Sequence, residues 1–211
     1  MIRNTLSLAI RHLLRNKIVS VINITGLSVG LTCCIVILIF VRYESSFDSF
    51  HDNAQNTYRV VQHTKFPERT QHWNTTAYPL AEALRTDHTD FSMVTQASGP
   101  VSRTFSVDNG TGSLNRFEEK YVLFVDPWYP KVFNFTWLAG NPETALNNPD
   151  AAVLTKSLIR KCFRQEIADP HEVLGRTILL NGKDPLIITG VVDDAPGNTN
   201  LHYNILVAYS F

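Results

Sequence analysis

The sequence predicts an α+β protein, with an N-terminal transmembrane helix followed by a mixed α/β extracytoplasmic domain. Two observations carry this. Ile18 to Val41 is a run of 24 residues without a charge, bounded by Lys17 and Arg42. Beyond it, residues 44–211 alternate between β-branched, strand-like runs and short stretches of helical period, separated by Asn-Gly and Pro-containing turns.

The apolar run comes first. A helix rises about 1.5 Å per residue, so 18–41 reaches roughly 36 Å, enough to cross a hydrocarbon core of about 30 Å. Its second half, 31–41, is almost purely aliphatic. Arg3, Arg11, Arg15, Lys17 and Arg42 are the only charges in the first 43 residues, whereas residues 44–211 hold 14 basic and 19 acidic side chains. Basic residues are retained on the cytoplasmic side. The N-terminus is therefore expected inside and residues 44–211 outside. A cleaved signal peptide is the competing reading. It calls for an apolar stretch of about 7–15 residues and a small-x-small site. Val41-Arg42-Tyr43-Glu44 offers no such site, although cleavage after Ser45 or Ser46 stays open.

Residues 1–17 repeat Ile2, Leu6, Ile10, Leu13 and Leu14 at helical spacing, with arginines interleaved. This predicts a cytoplasmic amphipathic segment lying in the headgroup layer. The alternative is the first turns of one long span with snorkelling arginines. Asn16-Lys17 marks the expected bend. Within the span, Gly26 and Gly30 form a GxxxG, and Cys34 continues the row. Small residues on one face let a second helix approach closely, so Gly26, Gly30 and Cys34 are expected to be helix-packing residues. Asn23, Thr25, Ser28 and Thr32 point the same way, since their polar groups need partners.

In the outer domain, Thr57–Thr64 reads as a strand and Ala77–Asp87 as a helix, with Phe91–Ala97 returning as a strand. Arg103–Val107 and Phe117–Val125 read as a β-ribbon around the Asn109-Gly110-Thr111-Gly112 turn. Trp128–Phe133 is a short helix behind Asp126-Pro127, and Thr155–Phe163 a second, with Thr155 as N-cap. Thr177–Leu180 and Leu186–Val192 flank Asn181-Gly182, a hairpin signal.

No constellation for chemistry emerges. The chain has no GxxxxGK[ST], GxSxG or HExxH, so no catalytic, cofactor-binding or metal-ligating residue is assigned, and no cofactor is expected. His171-Glu172 reads as a loop surface and Asp193-Asp194 as a polar turn. Cys162 is the lone cysteine beyond the apolar run and reads as a small core residue of its helix. Asn74, Asn109 and Asn134 match the glycosylation sequon, a pattern that also arises by chance. The acidic balance of 44–211 disfavours nucleic acid.

Ser46-Phe47-Asp48-Ser49-Phe50-His51-Asp52-Asn53, followed by Tyr58-Arg59-Val60, resembles the membrane-exit segment of MacB/FtsX-type ABC transporter permeases. Tyr78–Leu84, Asp126-Pro127-x-Tyr129 with Leu138-x-Gly140-Asn141-Pro142, Ala152–Thr155, Leu174–Thr177 and Ile188–Val192 with Pro196-x-Asn198-Thr199-x-Leu201 continue the resemblance through the chain. It implies a MacB-like periplasmic core domain over 44–211, incomplete at its C-terminus, because such permeases return to the membrane for three further spans. It further implies a bacterial inner-membrane permease subunit, a homodimer or heterodimer of permeases in the lipid bilayer, driven by a separate cytoplasmic ABC ATPase. The outer domain would couple ATPase motion to a substrate or partner. The alternative is a single-pass anchored binding or sensing domain without an ATPase.

Overall fold

The structure is a computed structural model that describes residues 11, 15–108, 114–163 and 169–209. The expected amphipathic segment and the Asn109–Gly112 turn lie largely outside these residues. Two compact units follow one another, residues 1–47 and residues 48–211.

In the first unit, Arg15 is helical, Asn16 leaves the helical region (φ −109°, ψ 59°), and helix α1 begins at Lys17 and runs to Ser45. It is 29 residues long, and long and apolar enough to cross a membrane. No residue of it is buried, so its apolar faces have no protein partner among the described residues. A Cβ added at Gly26 or Gly30 would meet no atom within 4 Å. Thr32 is satisfied inside the helix, its hydroxyl donating to the Ser28 carbonyl at 2.7 Å. Its polarity therefore demands no second helix. Ser46 ends α1 by donating from Oγ to the Tyr43 carbonyl at 2.7 Å.

The second unit holds nine described strands. Among the described residues, β1 (Gln62–Lys65) and β2 (Thr70–Trp73) pair only with each other. β3 (Ala97–Asp108), β4 (Leu114–Val125), β5 (Trp137–Gly140), β6 (Ala151–Thr155), β7 (Thr177–Leu180), β8 (Asp184–Val192) and β9 (Ile205–Ala208) form one sheet in the order β5-β8-β6-β9-β4-β3-β7. Because β7 also pairs with β8, six of these strands close on themselves. The pairs β4–β9 and β6–β8 are parallel and the others antiparallel. Helix α2 (Leu80–Asp87) precedes β3, α3 (Tyr129–Val132) follows β4, and α4 (Lys156–Phe163) follows β6.

Closure makes both faces of the central strands apolar. Ala152, Leu154, Ile205 and Val207 join Phe105, Val122 and Ile188 in one cluster, which also takes Leu158, Ile159, Cys162 and Phe163 of α4. Their neighbours Ala151, Val153, Leu206 and Ala208 face the other way, against Leu123, Val125 and Tyr129 of α3. A fully buried Leu or Ile contributes about 1.5–3 kcal/mol. Burial on both faces leaves β6, up to its buried Thr155, and β9 as apolar runs with no period of two.

The expected hairpin at Asn181-Gly182 is present. Both residues have positive φ (52° and 71°), as a turn matched to strand twist requires, and Lys183 N–H donates to the Leu180 carbonyl at 3.1 Å. Thr155 caps α4 through a 3.4 Å bond from Leu158 N–H. Two strand expectations are displaced. Residues 57–61 make no ladder, because Thr57 ends a 3-10 turn over Ala54–Asn56, and pairing begins at Gln62. Residues 91–96 are not a strand either, as the Val94 carbonyl accepts from Arg85 Nε and the Gln96 carbonyl from Asp126 N–H.

β5 crosses β8 where Gly140 faces Gly190. Gly140 has φ +90°, and a Cβ on Gly190 would lie 2.6 Å from Trp137 Cζ3 and 3.2 Å from Val153 Cγ2. Gly190→Val should therefore cost on the order of 1–3 kcal/mol by overpacking. Thermal unfolding of the full chain in detergent checks this. A midpoint equal to that of the parent would contradict the close crossing.

Candidate functional site: the junction segment and an apolar cleft

The first residues of the second unit are fastened to two distant stretches of it. Asp48 adopts a left-handed φ of 54°, tolerated by Asp more readily than by most residues. Its backbone N–H donates to the Asn198 carbonyl at 3.0 Å. Its carboxylate accepts from Thr199 Oγ1 at 2.6 Å, Asn200 N–H at 3.0 Å and Asn200 Nδ2 at 2.8 Å. Burial alone would raise the Asp48 pKa, but the Thr199 and Asn200 donors outweigh it and hold the group below the usual carboxylate range.

His51 is buried between the rings of Phe50 and Phe133, with centroids at 4.2 and 5.3 Å. Its Nδ1 accepts from Asn134 N–H at 3.1 Å, which assigns the neutral tautomer protonated at Nε2. Burial lowers the His51 pKa, against the opposing pull of Asp48 and Asp52. Asp52 and Asn134 complete the junction: Asp52 N–H donates to Asn134 Oδ1 at 3.1 Å, and Asn134 Nδ2 donates back to the carboxylate. The sequence segments around Asp48 and Thr199, 151 residues apart, thus meet as one constellation.

A cleft of about 490 Å³ opens at the carboxyl ends of the parallel strands β4 and β9. Tyr78 and Tyr209 stack along one side at 5.0 Å, and half-exposed Trp128 lines another. Arg85 lies 5.6 Å from the Trp128 ring and pairs with buried Asp126. Asp126 also accepts from Thr95 Oγ1 at 2.6 Å and from the N–H groups of Gln96 and Trp128 at 3.2 Å. With Glu82 also 3.2 Å from Arg85, the guanidinium is neutralised where it stands. The cleft therefore offers mainly aromatic and apolar surface.

The other singled-out residues have structural surroundings. Asp194 accepts from Ser157 N–H at 3.0 Å and Ser157 Oγ at 2.6 Å, holding the first turn of α4. His171 is exposed beside Asp169 at 2.8 Å. Cys162 is buried in the core, which pushes its thiol up to about 12. Among the described residues no group of three or more His, Cys, Asp and Glu could hold a metal ion. Gly26, Gly30 and Cys34 stand on α1 with no partner that would show their role. Sequence reasoning missed the Arg85–Asp126 pair, since nothing in the spacing links residues 41 apart.

The family profile for the MacB-like periplasmic core domain matches residues 20–210. Two solved structures are similar. One is a domain assigned to a permease protein of Porphyromonas gingivalis, 20% identical with a TM-score of 0.49, covering 61% of this chain and 55% of that one. The other is the periplasmic region of MacB from Actinobacillus actinomycetemcomitans, 18% identical with a TM-score of 0.40, covering 62% and 53%. The chain spans about half the length of these structures. No curated protein matches it.

The folded-state pKa of His51 lies below its unfolded value of 6.5. The stability that this shift represents is present above 6.5 and is lost as pH falls from there toward the folded value. Chemical denaturation across this range should show a slope in the parent that His51→Asn flattens. Identical slopes in the two proteins would refute a buried neutral imidazole.

Proposed function

This chain belongs to the family of MacB-like periplasmic core domains, and we propose from it that the protein is a membrane-anchored permease subunit of an ABC-type transporter or mechanotransmission complex. In this reading α1 spans the bacterial inner membrane over 18–41, residues 1–17 stay in the cytoplasm, and residues 44–211 are periplasmic. A separate cytoplasmic ATPase moves the permease helices, and the outer domain carries that motion to a substrate or partner. The observation that supports coupling most directly is the junction. Asp48 and its four hydrogen bonds tie the segment directly after α1 to the loop before β9. Hydrogen bonds to charged groups contribute about 1.5–3 kcal/mol, so a displacement entering at residue 48 is carried into the domain before the junction opens.

Distance measurements between paired outer domains test this in the complete permease with its ATPase. A spin label at exposed residue 183, after replacement of Cys33 and Cys34 by Ala, should report an ATP-dependent change in distance. Asp48→Ala should blunt that change while ATP hydrolysis continues. Distances indifferent to ATP in the parent would overturn coupling and favour the anchored binding or sensing domain.

The row Gly26, Gly30 and Cys34 is proposed as a contact face for other permease helices. Leu is favourable in lipid, so Gly30→Leu should insert normally yet lower recovery of the assembled complex. Undiminished recovery for both Gly26→Leu and Gly30→Leu would remove the packing role.

A further inference from the structure

The ribbon β1–β2 sets two imidazoles face to face. His63 and His72 are directly opposed in its register, between the pairs Gln62–Trp73 and Thr64–Gln71. Both side chains are exposed, their rings lie nearly perpendicular with centroids 4.4 Å apart, and their Nδ1 atoms meet in a hydrogen bond. Such an N–H···N contact needs one Nδ1 protonated and the other bare. We propose that this pair is a two-nitrogen site for a divalent transition-metal ion, closed by water at the remaining positions.

The chemistry follows from the donors. On metal binding the donor ring carries its proton on Nε2 in place of Nδ1, so both Nδ1 lone pairs face the ion. Imidazole nitrogen sits about 2.0–2.1 Å from zinc, so two of them around a tetrahedral ion stand roughly 3.3 Å apart. Small side-chain rotations reach that separation, because the opposed strands already fix the two backbones. Imidazole donors suit copper, nickel and zinc, whereas magnesium and calcium require oxygen ligands. Two protein ligands make the site exchangeable, unlike the four-ligand sites that hold a fold together.

The ribbon also gives the ion something to do. Among the described residues β1 and β2 pair with no other strand, and an isolated two-stranded hairpin is marginally stable in water. A bridge between its strands would stiffen the ribbon without touching the closed sheet. The inference is independent of the transport reading, since it rests on this pair alone.

Calorimetric titration of the full chain in detergent at neutral pH, with copper, nickel, zinc and magnesium chlorides in turn, tests it. About one ion per chain is expected, tightest for copper and absent for magnesium. His63→Gln and His72→Gln should each weaken binding by at least about tenfold, while Gln71→Ala leaves it unchanged. Amide exchange over 62–65 and 70–73 should slow on metal addition in the parent and in Gln71→Ala, and not in either histidine variant. Two results overturn the site: no binding up to about 1 mM, the weak end of recognisable affinity, or equal binding by the parent and both histidine variants.

Discussion

Strand β8 has nine residues and three neighbours, and the second unit depends on how it shares them. Along one edge it pairs in parallel with β6. Along the other it takes β7 through Asp184–Ile187 and then β5 through Gly190–Val192. The change of partner works only where backbones can approach closely, at Gly140 and Gly190. From this sharing come the closed sheet, its two apolar faces and the ends of β4 and β9 around which the cleft forms. Both glycines stand in segments that carry the family resemblance, and the structure supplies the reason these segments belong together.

Legibility followed locality. The β3–β4 ribbon, the Asn181-Gly182 hairpin and helix α4 rest on signals within about a dozen residues, and each was readable. β6 and β9 were not read as elements, because a strand buried on both faces loses the alternation that marks a half-buried one. Residues 58–61 have strand-like side chains but no ladder partner, which no local pattern encodes. The same limit governs the junction. Asp48, His51, Thr199 and Asn200 belong to separate motifs in the sequence, and only folding shows that one motif receives the hydrogen bonds of the other. His63 and His72 read as two of seven scattered histidines until β2, itself unpredicted, placed them opposite one another.

The family assignment and the geometry bear on different questions. Membership says which domain family the chain belongs to, and the junction shows by which atoms the start of the second unit is held. Asp48 is restrained by a left-handed backbone and by charge-assisted bonds, while His51 is itself buried against Phe133. Stiffness at this point comes from hydrogen bonds to two separate parts of the domain. The cleft is built differently. Its one buried charge pair is internally neutralised, so aromatic surface is left as its exposed feature.

Strand β9 is the last described strand in chain order, yet it sits between β4 and β6. Until it arrives, β6, β8, β7, β3 and β4 can form only an open sheet with two unsatisfied apolar edges, and such edges invite pairing with other chains. A chain made N-terminus first therefore leaves the β4 edge open while about eighty residues follow it, and the β6 edge while about fifty do, before β9 is delivered. Biogenesis of this fold is thus a holding problem, in which strand edges made early stay open until their shared partner is synthesised.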